Sequence, residues 1–455
     1  MFIQIDSKEV KVFEGETIIE VARREGYKIP SLCYAKDAKH KSSCMVCAVK
    51  NTVNGQIIPS CSTFPTDGMK IETESDEIKT IRTLSLELLL SDHRADCEAP
   101  CKIACPAGFD VAAMNRLYDR GKYDEALEFL RNSLIIPATL CYICNAPCEK
   151  ICRKKDVNKP VAIREIKKAL VNKTLPDKIK RTDGNGKKIA VIDSNPAGLS
   201  AAYALCKLGY EATIFEKSES VLLPYIEAEK APTGIIDFEI DVIKRTGVKI
   251  VTSCGEQSFA GYDGIVFASF DDAKAQEFKR CVTLSMKTKQ PARLVLEGLK
   301  MAEKLHALLL CSDAGITESK LFNSTYNRFS DKEKQSLERQ SQDDNRESAC
   351  LYCDCNKKTE CRLREHATTY GIKNSRYSRD TSSQALNRQH IREKIWFEPA
   401  KCIRCGLCVY NSDNGFTFRD RGFGMQIVLP SGNAGNISEQ LAGLCPTGAI
   451  YNAKN

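Results

Sequence analysis

The chain has 455 residues, 42% hydrophobic and 28% charged, a balance that suits several ordinary folded domains and excludes a low-complexity or disordered protein. Its net charge of +8 comes from 67 Lys and Arg spread among 59 Asp and Glu. With no basic stripe, nucleic acid is not an expected partner; a solvated exterior or a docking face for an acidic redox protein accounts for the excess. No run reaches the eighteen or so apolar residues of a membrane span, so direct membrane insertion is not expected.

The cysteines decide more than the totals do. Of 23, nineteen fall into four groups: 33/44/47/61, the seven between 97 and 152, 350/353/355/361, and 402/405/408/445. Cys206, Cys254, Cys281 and Cys311 stand singly in apolar surroundings and read as core thiols. The start, Met1 to Asp6, has neither a basic nor an apolar signal region. A reducing cytoplasm, in an anaerobe or low-oxygen cell, is therefore expected, and disulfides are not.

In chain order, residues 2–5 and 9–13 alternate apolar and polar around Asp6-Ser7-Lys8, a hairpin signal, and Thr17 opens a helix to about Glu25. There follows Cys33-x10-Cys44-x2-Cys47-x13-Cys61, four thiols suited to one 2Fe-2S cluster. The order of hairpin, helix and cysteine loop resembles the ferredoxin domain at the front of the complex I large iron-sulfur subunit and of many iron hydrogenases. That resemblance implies a β-grasp ferredoxin over 1–78.

Residues 78–90 are apolar at helical period and lead to His93. Then come Cys97, Cys101, Cys105-Pro106, a helix capped by Asp110 and ended by Gly121, another opened by Asp124, and Cys141, Cys144, Cys148 and Cys152. Eight potential ligands in sixty residues suffice for two 4Fe-4S clusters, with a zinc staple as the alternative. The entry Leu88-Leu-Leu-x-x-His93-x-x-x-Cys97 resembles the complex I subunit. The later spacing, with Asn145-Ala-Pro-Cys148-Glu149 and Pro160-Val-Ala-Ile163, resembles the amino-terminal domain of the glutamate synthase small subunit and dihydropyrimidine dehydrogenase. This second resemblance implies a helical double-cubane domain over 79–180. It implies one cluster on His93, Cys97, Cys101 and Cys152, and a second on Cys105, Cys144 and Cys148. The family's fourth ligand to the second, a Glu or Gln, falls at Lys167; Cys141 takes its place, with Glu165 in reserve.

From Lys187 a strand, turn, helix and second strand ending at Glu216 form a βαβ unit, where the same family has its FAD domain. Asp193 and Asn195 stand at the first two glycines of the dinucleotide fingerprint, only Gly198 survives, and Leu222-Leu223 replaces a Gly-Gly flavin contact. After Gly264 to Ala268 the chain lacks the NAD(P)H insert and passes to a helix from Pro291. Residues 181–311 therefore read as a degenerate FAD/Rossmann-like domain: FAD is not expected at Asp193, Asn195, Gly198 and Glu216, and NAD(P) is not expected at all.

A polar connector covers 312–349. Cys350, Cys353, Cys355 and Cys361 make a compact metal site in 350–395, for 4Fe-4S or zinc. In 396–455, Cys402-x2-Cys405-x2-Cys408 with Cys445-Pro446 resembles a two-cluster ferredoxin from which one cluster is erased, its cysteines standing as Ser412, Gly435, Ser438 and Leu441. Lys401 and Arg404 beside it read as surface residues.

The fold class expected is thus multi-domain α+β and α/β. One 2Fe-2S and three to four 4Fe-4S clusters, with no nucleophile or acid-base constellation, read as a non-catalytic electron-transfer subunit. Its expected partners are a flavin-containing NADH-oxidising subunit and a catalytic hydrogenase, formate dehydrogenase or other reductase subunit. The alternatives are a glutamate-synthase-like flavoprotein NAD(P)H oxidoreductase and a zinc-binding assembly scaffold.

Overall fold

The computed structural model describes residues 1–173, 183–255, 258–269, 278, 280–285, 287–310, 321–325, 329, 331–342, 345–373, 377 and 388–453. Cys311 and much of the connector 312–349 lie outside these residues. The chain divides into two compact units: Met1–Glu98 with Ser319–Leu337 and Asp354–Asn455, and Ala99–Glu318 with Glu338–Cys353.

The first unit begins with the expected hairpin, β1 (Phe2–Ile5) and β2 (Lys8–Lys11), turning at Asp6 with φ 50°, a conformation Asp tolerates better than most side chains. Thr17 caps α1 (Ile18–Arg24) in a capping box with Glu20, which satisfies amide donors the first turn leaves open. Strands β3 (Ala48–Asn51), β4 (Gln56–Pro59) and β5 (Lys70–Glu72) complete a mixed sheet of order β2-β1-β5-β3-β4, with β1 and β5 parallel. Ile18, Ile19 and Val21 of α1 share a core with Ile3, Ile5 and Val10. Helix α2 (Asp76–Asp92) buries Arg82, whose guanidinium donates to the Ala48 and Thr73 carbonyls at 2.8–3.0 Å.

The second unit opens with helices α3 (Pro100–Ala104), α4 (Val111–Asp119), α5 (Tyr123–Leu134), α6 (Pro137–Ile143), α7 (Pro147–Lys150) and α8 (Ile163–Lys173). Asp110 caps α4 by accepting from the Ala113 amide at 3.0 Å, and Gly121 follows the helix at φ 70°. Helix α5 starts one residue before Asp124 and caps on Lys122.

Five parallel strands follow: β6 (Lys188–Ile192), β7 (Glu211–Phe215), β8 (Lys249–Val251), β9 (Gly264–Phe267) and β10 (Cys281–Thr283), ordered β10-β9-β6-β7-β8. Helices α9 (Pro196–Lys207), α10 (Leu223–Glu227), α11 (Thr233–Arg245) and α12 (Pro291–Leu309) belong to this sheet region. Helices α9 and α12 touch closely: a Cβ at Gly298 would lie 2.2 Å from the Ala197 carbonyl oxygen. One core runs from the helical segment into the sheet, joining Leu130, Leu140 and Leu170 to Ile189, Leu199 and Val295. Of the lone cysteines here Cys206 is buried, whereas Cys254 and Cys281 are half-exposed, a correction to their reading as core thiols.

Helix α13 (Asp331–Gln342) lies in the connector, and α14 (Arg362–Thr369) follows Cys361. Leu363, Ala367 and Ile403 join the core of the amino-terminal sheet. The last segment holds an antiparallel sheet of β11 (Gln389–Arg392), β12 (Ile395–Phe397) and β15 (Ile450–Asn452), and a hairpin of β13 (Thr417–Arg419) with β14 (Gln426–Val428). Short helices α15 (Leu407–Tyr410) and α16 (Glu439–Leu444) carry or flank its cysteines. Among the described residues no single helix is long and apolar enough to cross a membrane.

Candidate metal centres

Every described cysteine is a free thiol, and no three His, Cys, Asp or Glu side chains among the described residues converge on a single ion position. The thiols gather in wider groups.

In the first unit Cys33, Cys44, Cys47 and Cys61 are all buried, on the loop after α1, the loop into β3, and the end of β4. Hydrogen bonds from Cys44 and Cys61 hold the Cys33 thiol down to about 2, and Cys61 lowers Cys47 to about 7; Cys44 and Cys61 are driven up in turn. Four thiols hydrogen-bonded among themselves make a compact donor set, and metal binding releases their protons. Their setting is built by residues the sequence did not single out. Ser60 donates to the Cys47 carbonyl at 2.7 Å, and His40 Nε2 lies 2.9 Å from the Cys61 carbonyl, which makes that nitrogen the donor. The Arg23 guanidinium lies in the field of Cys47 and Cys61, favouring their thiolates. The chemistry of the set fits a 2Fe-2S cluster.

In the carboxyl-terminal segment burial pushes Cys402 up to about 12 and also raises Cys405 and Cys408, each further raised by the charge of neighbours in the set 402/405/408/445. Two backbone amides point at sulfur: Arg404 N to Cys402 Sγ and Ile450 N to Cys445 Sγ, both 3.4 Å. Arg404 has φ 58° and Gly406 φ 77°, so the turn folds back around its own sulfurs. Positions where a second cluster would need cysteines serve the fold instead. Ser412 Oγ donates to the Cys408 carbonyl and accepts from Phe416 N, and Ser438 caps α16. Lys401 and Arg404 are not surface residues: Lys401 is 4% exposed and paired with Glu398 at 2.9 Å, and Arg404 reaches Asp92 at 3.3 Å. Glu398 is a local partner three residues before Lys401, whereas spacing cannot show that Asp92 lies opposite Arg404.

His93 is buried, and burial holds its imidazole down to about 4, so it is neutral at pH 7. Its Nδ1 lies 3.0 Å from the Lys401 carbonyl and must be the donor, which leaves the Nε2 lone pair free for a metal. Cys97, in the same unit, groups with Cys355 and Cys361. The Cys355 amide donates to the Cys97 carbonyl at 3.2 Å, and Cys355 charge raises both Cys97 and Cys361. Ser324 N donates to Cys97 Sγ at 3.4 Å.

In the second unit Cys148 is raised to about 11 by burial, against Lys167, with Cys105 and Cys144 adding to the rise. These three thiols form one group. Cys141 borders it beside Cys144, raised to about 12 by burial, its Sγ 3.5 Å from the Arg164 carbonyl. Lys167 is buried with Nζ 5.0 Å from the centre of the Phe109 ring. Glu165 is exposed and pairs with Lys168 at 2.9 Å. Cys101 and Cys152 line a different cavity, together with Cys350 and Cys353. The division between units thus falls between Cys97 and Cys101, and again between Cys353 and Cys355.

A cleft of about 870 Å³ opens at the carboxyl ends of β6 and β7, lined by Asp193, Ser194, Asn195, Glu216, Phe259 and others. The residues at its floor do not fit the pyrophosphate of FAD. Asn195 Oδ1 accepts from the Ala197 and Gly198 amides at 2.8 and 3.1 Å, taking the helix-terminal donors that a phosphate needs. Its Nδ2 donates to the Ala268 carbonyl at 2.9 Å. Glu216 accepts from Ser194 and Ser218, so both oxygens are engaged. The backbone nonetheless keeps the shape that glycines would have chosen. Asp193 has φ 85° and Leu222 φ 57°, while a Cβ at Gly198 would lie 2.0 Å from the Asp193 carbonyl oxygen.

Comparison with known proteins matches two families. The 2Fe-2S iron-sulfur cluster binding domain covers residues 2–76, and dihydropyrimidine dehydrogenase domain II, 4Fe-4S cluster, covers 87–179. The chain is 33% identical over 180 residues to the NADP(+)-dependent formate dehydrogenase subunit beta of Moorella thermoacetica, covering 33% of this chain and 26% of that protein. It is 34% identical over 160 residues to NADP-reducing hydrogenase subunit HndD of Solidesulfovibrio fructosivorans, covering 33% and 27%. It is 32% identical over 178 residues to the glutamate synthase [NADPH] small chain of Bacillus subtilis, covering 35% and 36%. The chain therefore spans about a quarter to a third of the length of these relatives. It carries a match to a 2Fe-2S domain and a match to a dihydropyrimidine dehydrogenase-type 4Fe-4S domain in one polypeptide.

Proposed function

We propose that this chain is the electron-conducting subunit of a multi-subunit oxidoreductase, relaying single electrons between a flavin-containing NAD(P)H-linked subunit and a catalytic subunit of the hydrogenase, formate dehydrogenase or related reductase type. The observation that carries this reading is the adjacency of two cysteine sets in the first unit. Cys33 acts electrostatically on Cys405, and both side chains pack on the same core. Bound at these sets, the clusters would take up and release one electron at a time. The chain's own contribution is to hold the thiols buried, exclude water, and set the surrounding charge with Arg23, Lys401 and Arg404.

Three further observations support the reading. The order β2-β1-β5-β3-β4 with α1 suits a β-grasp ferredoxin. The parallel sheet with Asn195 in place of a phosphate suits a Rossmann-like scaffold without flavin, so hydride chemistry belongs to a partner. The formate dehydrogenase, hydrogenase and glutamate synthase relatives are named as parts of nicotinamide-linked enzymes, which favours partners of that kind.

Anaerobic purification, iron and acid-labile sulfide assay, and EPR of the dithionite-reduced protein test it. Several overlapping signals with magnetic interaction between the 2Fe-2S centre and a neighbour are expected. Colourless protein without sulfide refutes the reading.

A further inference from the structure

Four cysteines expected from the sequence at two different sites, Cys101 and Cys152 at one by family resemblance and Cys350 and Cys353 at another by spacing, line a single cavity of the second unit with apolar Ala99, Val111 and Ile163. We infer that Cys101, Cys152, Cys350 and Cys353 together hold one 4Fe-4S cluster, the Cys350-x2-Cys353 pair completing a site whose other half lies far earlier in the chain. The inference rests on the iron-sulfur reading above and adds the ligand set.

The backbone of the pair supplies the first support. In Cys402-Ile403-Arg404-Cys405, where the sequence motif for a cluster is strong, the third residue has φ 58° and its amide lies 3.4 Å from the first sulfur. In Cys350-Leu351-Tyr352-Cys353 the third residue has φ 48°, and its amide also lies 3.4 Å from the first sulfur. A left-handed Tyr is costly, because its Cβ crowds the following carbonyl oxygen. The same costly turn at the same place in both motifs bends two thiols toward one side and donates an amide to sulfur.

The second support is an unpartnered group. Asn115 is fully buried, lines the cavity, and among the described residues neither its amide nitrogen nor its oxygen has a conventional hydrogen-bond partner. What it faces is the Cys350 sulfur. A buried amide left without a partner is destabilising, and an N–H directed at a cluster sulfur removes that penalty. Arg116 supplies positive charge to the same sulfur.

The third is the latch that holds the pair in place. Asp119, at the end of α4, accepts from the Ser348 amide at 2.9 Å and from the Ser348 and Tyr352 hydroxyls. Arg116 and Arg346 lie 5.0 and 4.7 Å from the centre of the Tyr352 ring. The segment that brings Cys350 and Cys353 is thus tied to the helix that carries Asn115.

The test uses the full chain purified anaerobically. Single Cys101→Ser, Cys350→Ser and Cys353→Ser variants are each expected to shift the same one EPR signal, since serine oxygen still ligates. Cys361→Ser is expected to alter a different feature. The double variant Cys350→Ala with Cys353→Ala should lose about four irons per chain and keep the 2Fe-2S signal, which doubles as the folding control. On wild-type protein, which needs no variant to fold, a chelator is added and thiols are alkylated at intervals. Mass spectrometry should show Cys101, Cys152, Cys350 and Cys353 becoming reactive with one rate constant. Release of Cys350 and Cys353 together with Cys355 and Cys361, or a Cys350→Ser shift in the signal that Cys361→Ser moves, overturns the ligand set. Zinc, or no sulfide, in the wild-type protein overturns the underlying iron-sulfur reading. A fully iron-loaded wild type whose double variant keeps all its iron overturns only the inference.

Discussion

Restoring glycine at two positions should turn the cleft at the end of β6 back into a flavin site. In Asp193→Gly/Asn195→Gly the Ala197 and Gly198 amides, now taken by Asn195 Oδ1 at 2.8 and 3.1 Å, become free to donate to a pyrophosphate. Each hydrogen bond to a charged acceptor contributes about 1.5–3 kcal/mol, so two contribute about 3–6 kcal/mol. That corresponds to roughly 10²- to 10⁴-fold in affinity. Removal of the Asp193 carboxylate, which would face a phosphate, works in the same direction. Stability should change little. Glycine at position 193 relieves a left-handed backbone at φ 85°, worth about 1–2 kcal/mol. Loss of the Asn195 cap and its bond to Ala268 costs a similar amount, about 1–1.5 kcal/mol. The assay is FAD fluorescence quenching on titration, with flavin release by acid from the purified proteins. Wild-type protein that retains stoichiometric FAD through gel filtration, or a double variant that binds no better than wild type, would refute the reasoning.

Other outcomes follow from the same contacts. Glu239 is 2% exposed and accepts from the Ala138 and Thr139 amides at 2.8 and 2.7 Å, at the start of the helix that carries Cys141. Burial raises its carboxyl to about 6 from 4.5. The native state therefore binds the proton more tightly than the unfolded chain, so stability from this group is greatest below pH 4.5 and declines as pH rises through 6, by about 2 kcal/mol in all. The difference in melting temperature between wild type and Glu239→Ala should accordingly be larger at pH 5 than at pH 7.5; an unchanged difference counts against it. Arg82→Ala strips charged donors from the buried Ala48 and Thr73 carbonyls. It should cost about 3–5 kcal/mol, seen as earlier thermal loss of the 2Fe-2S visible bands. Cys141→Ser should alter one 4Fe-4S signal while Lys167→Gln leaves it in place; the reverse would move the fourth ligand of the Cys105/Cys144/Cys148 group to position 167.

The sequence by itself determined what depends on local order. The hairpin at Asp6, the capping box at Thr17, the caps at Asp110 and the βαβ unit to Glu216 are all set by residues a few positions apart, and the structure forms each of them. The proposed grouping of Cys33 to Cys61 and of Cys402 to Cys445 rests on spacing in the same way, since each set spans one small folded segment. The glycines missing at 193 and 195 were legible too, though not that Asn195 itself would occupy the vacant donors.

Which compact unit each middle thiol belongs to is a property of the tertiary structure alone. Cys97 and Cys101 are neighbours in sequence, as are Cys353 and Cys355, yet each pair is split between two compact units. A thiol's partners are set by which core its backbone packs into. Cys350 joins the core around Val111 and Leu130, whereas Cys361 joins that around Ile3 and Leu86. Likewise Arg404 reads as solvated from its neighbours in sequence, yet Asp92, more than three hundred positions earlier, lies 3.3 Å from it. Spacing counts residues along one strand of chain, and it is silent about a donor or counter-charge delivered by a distant segment.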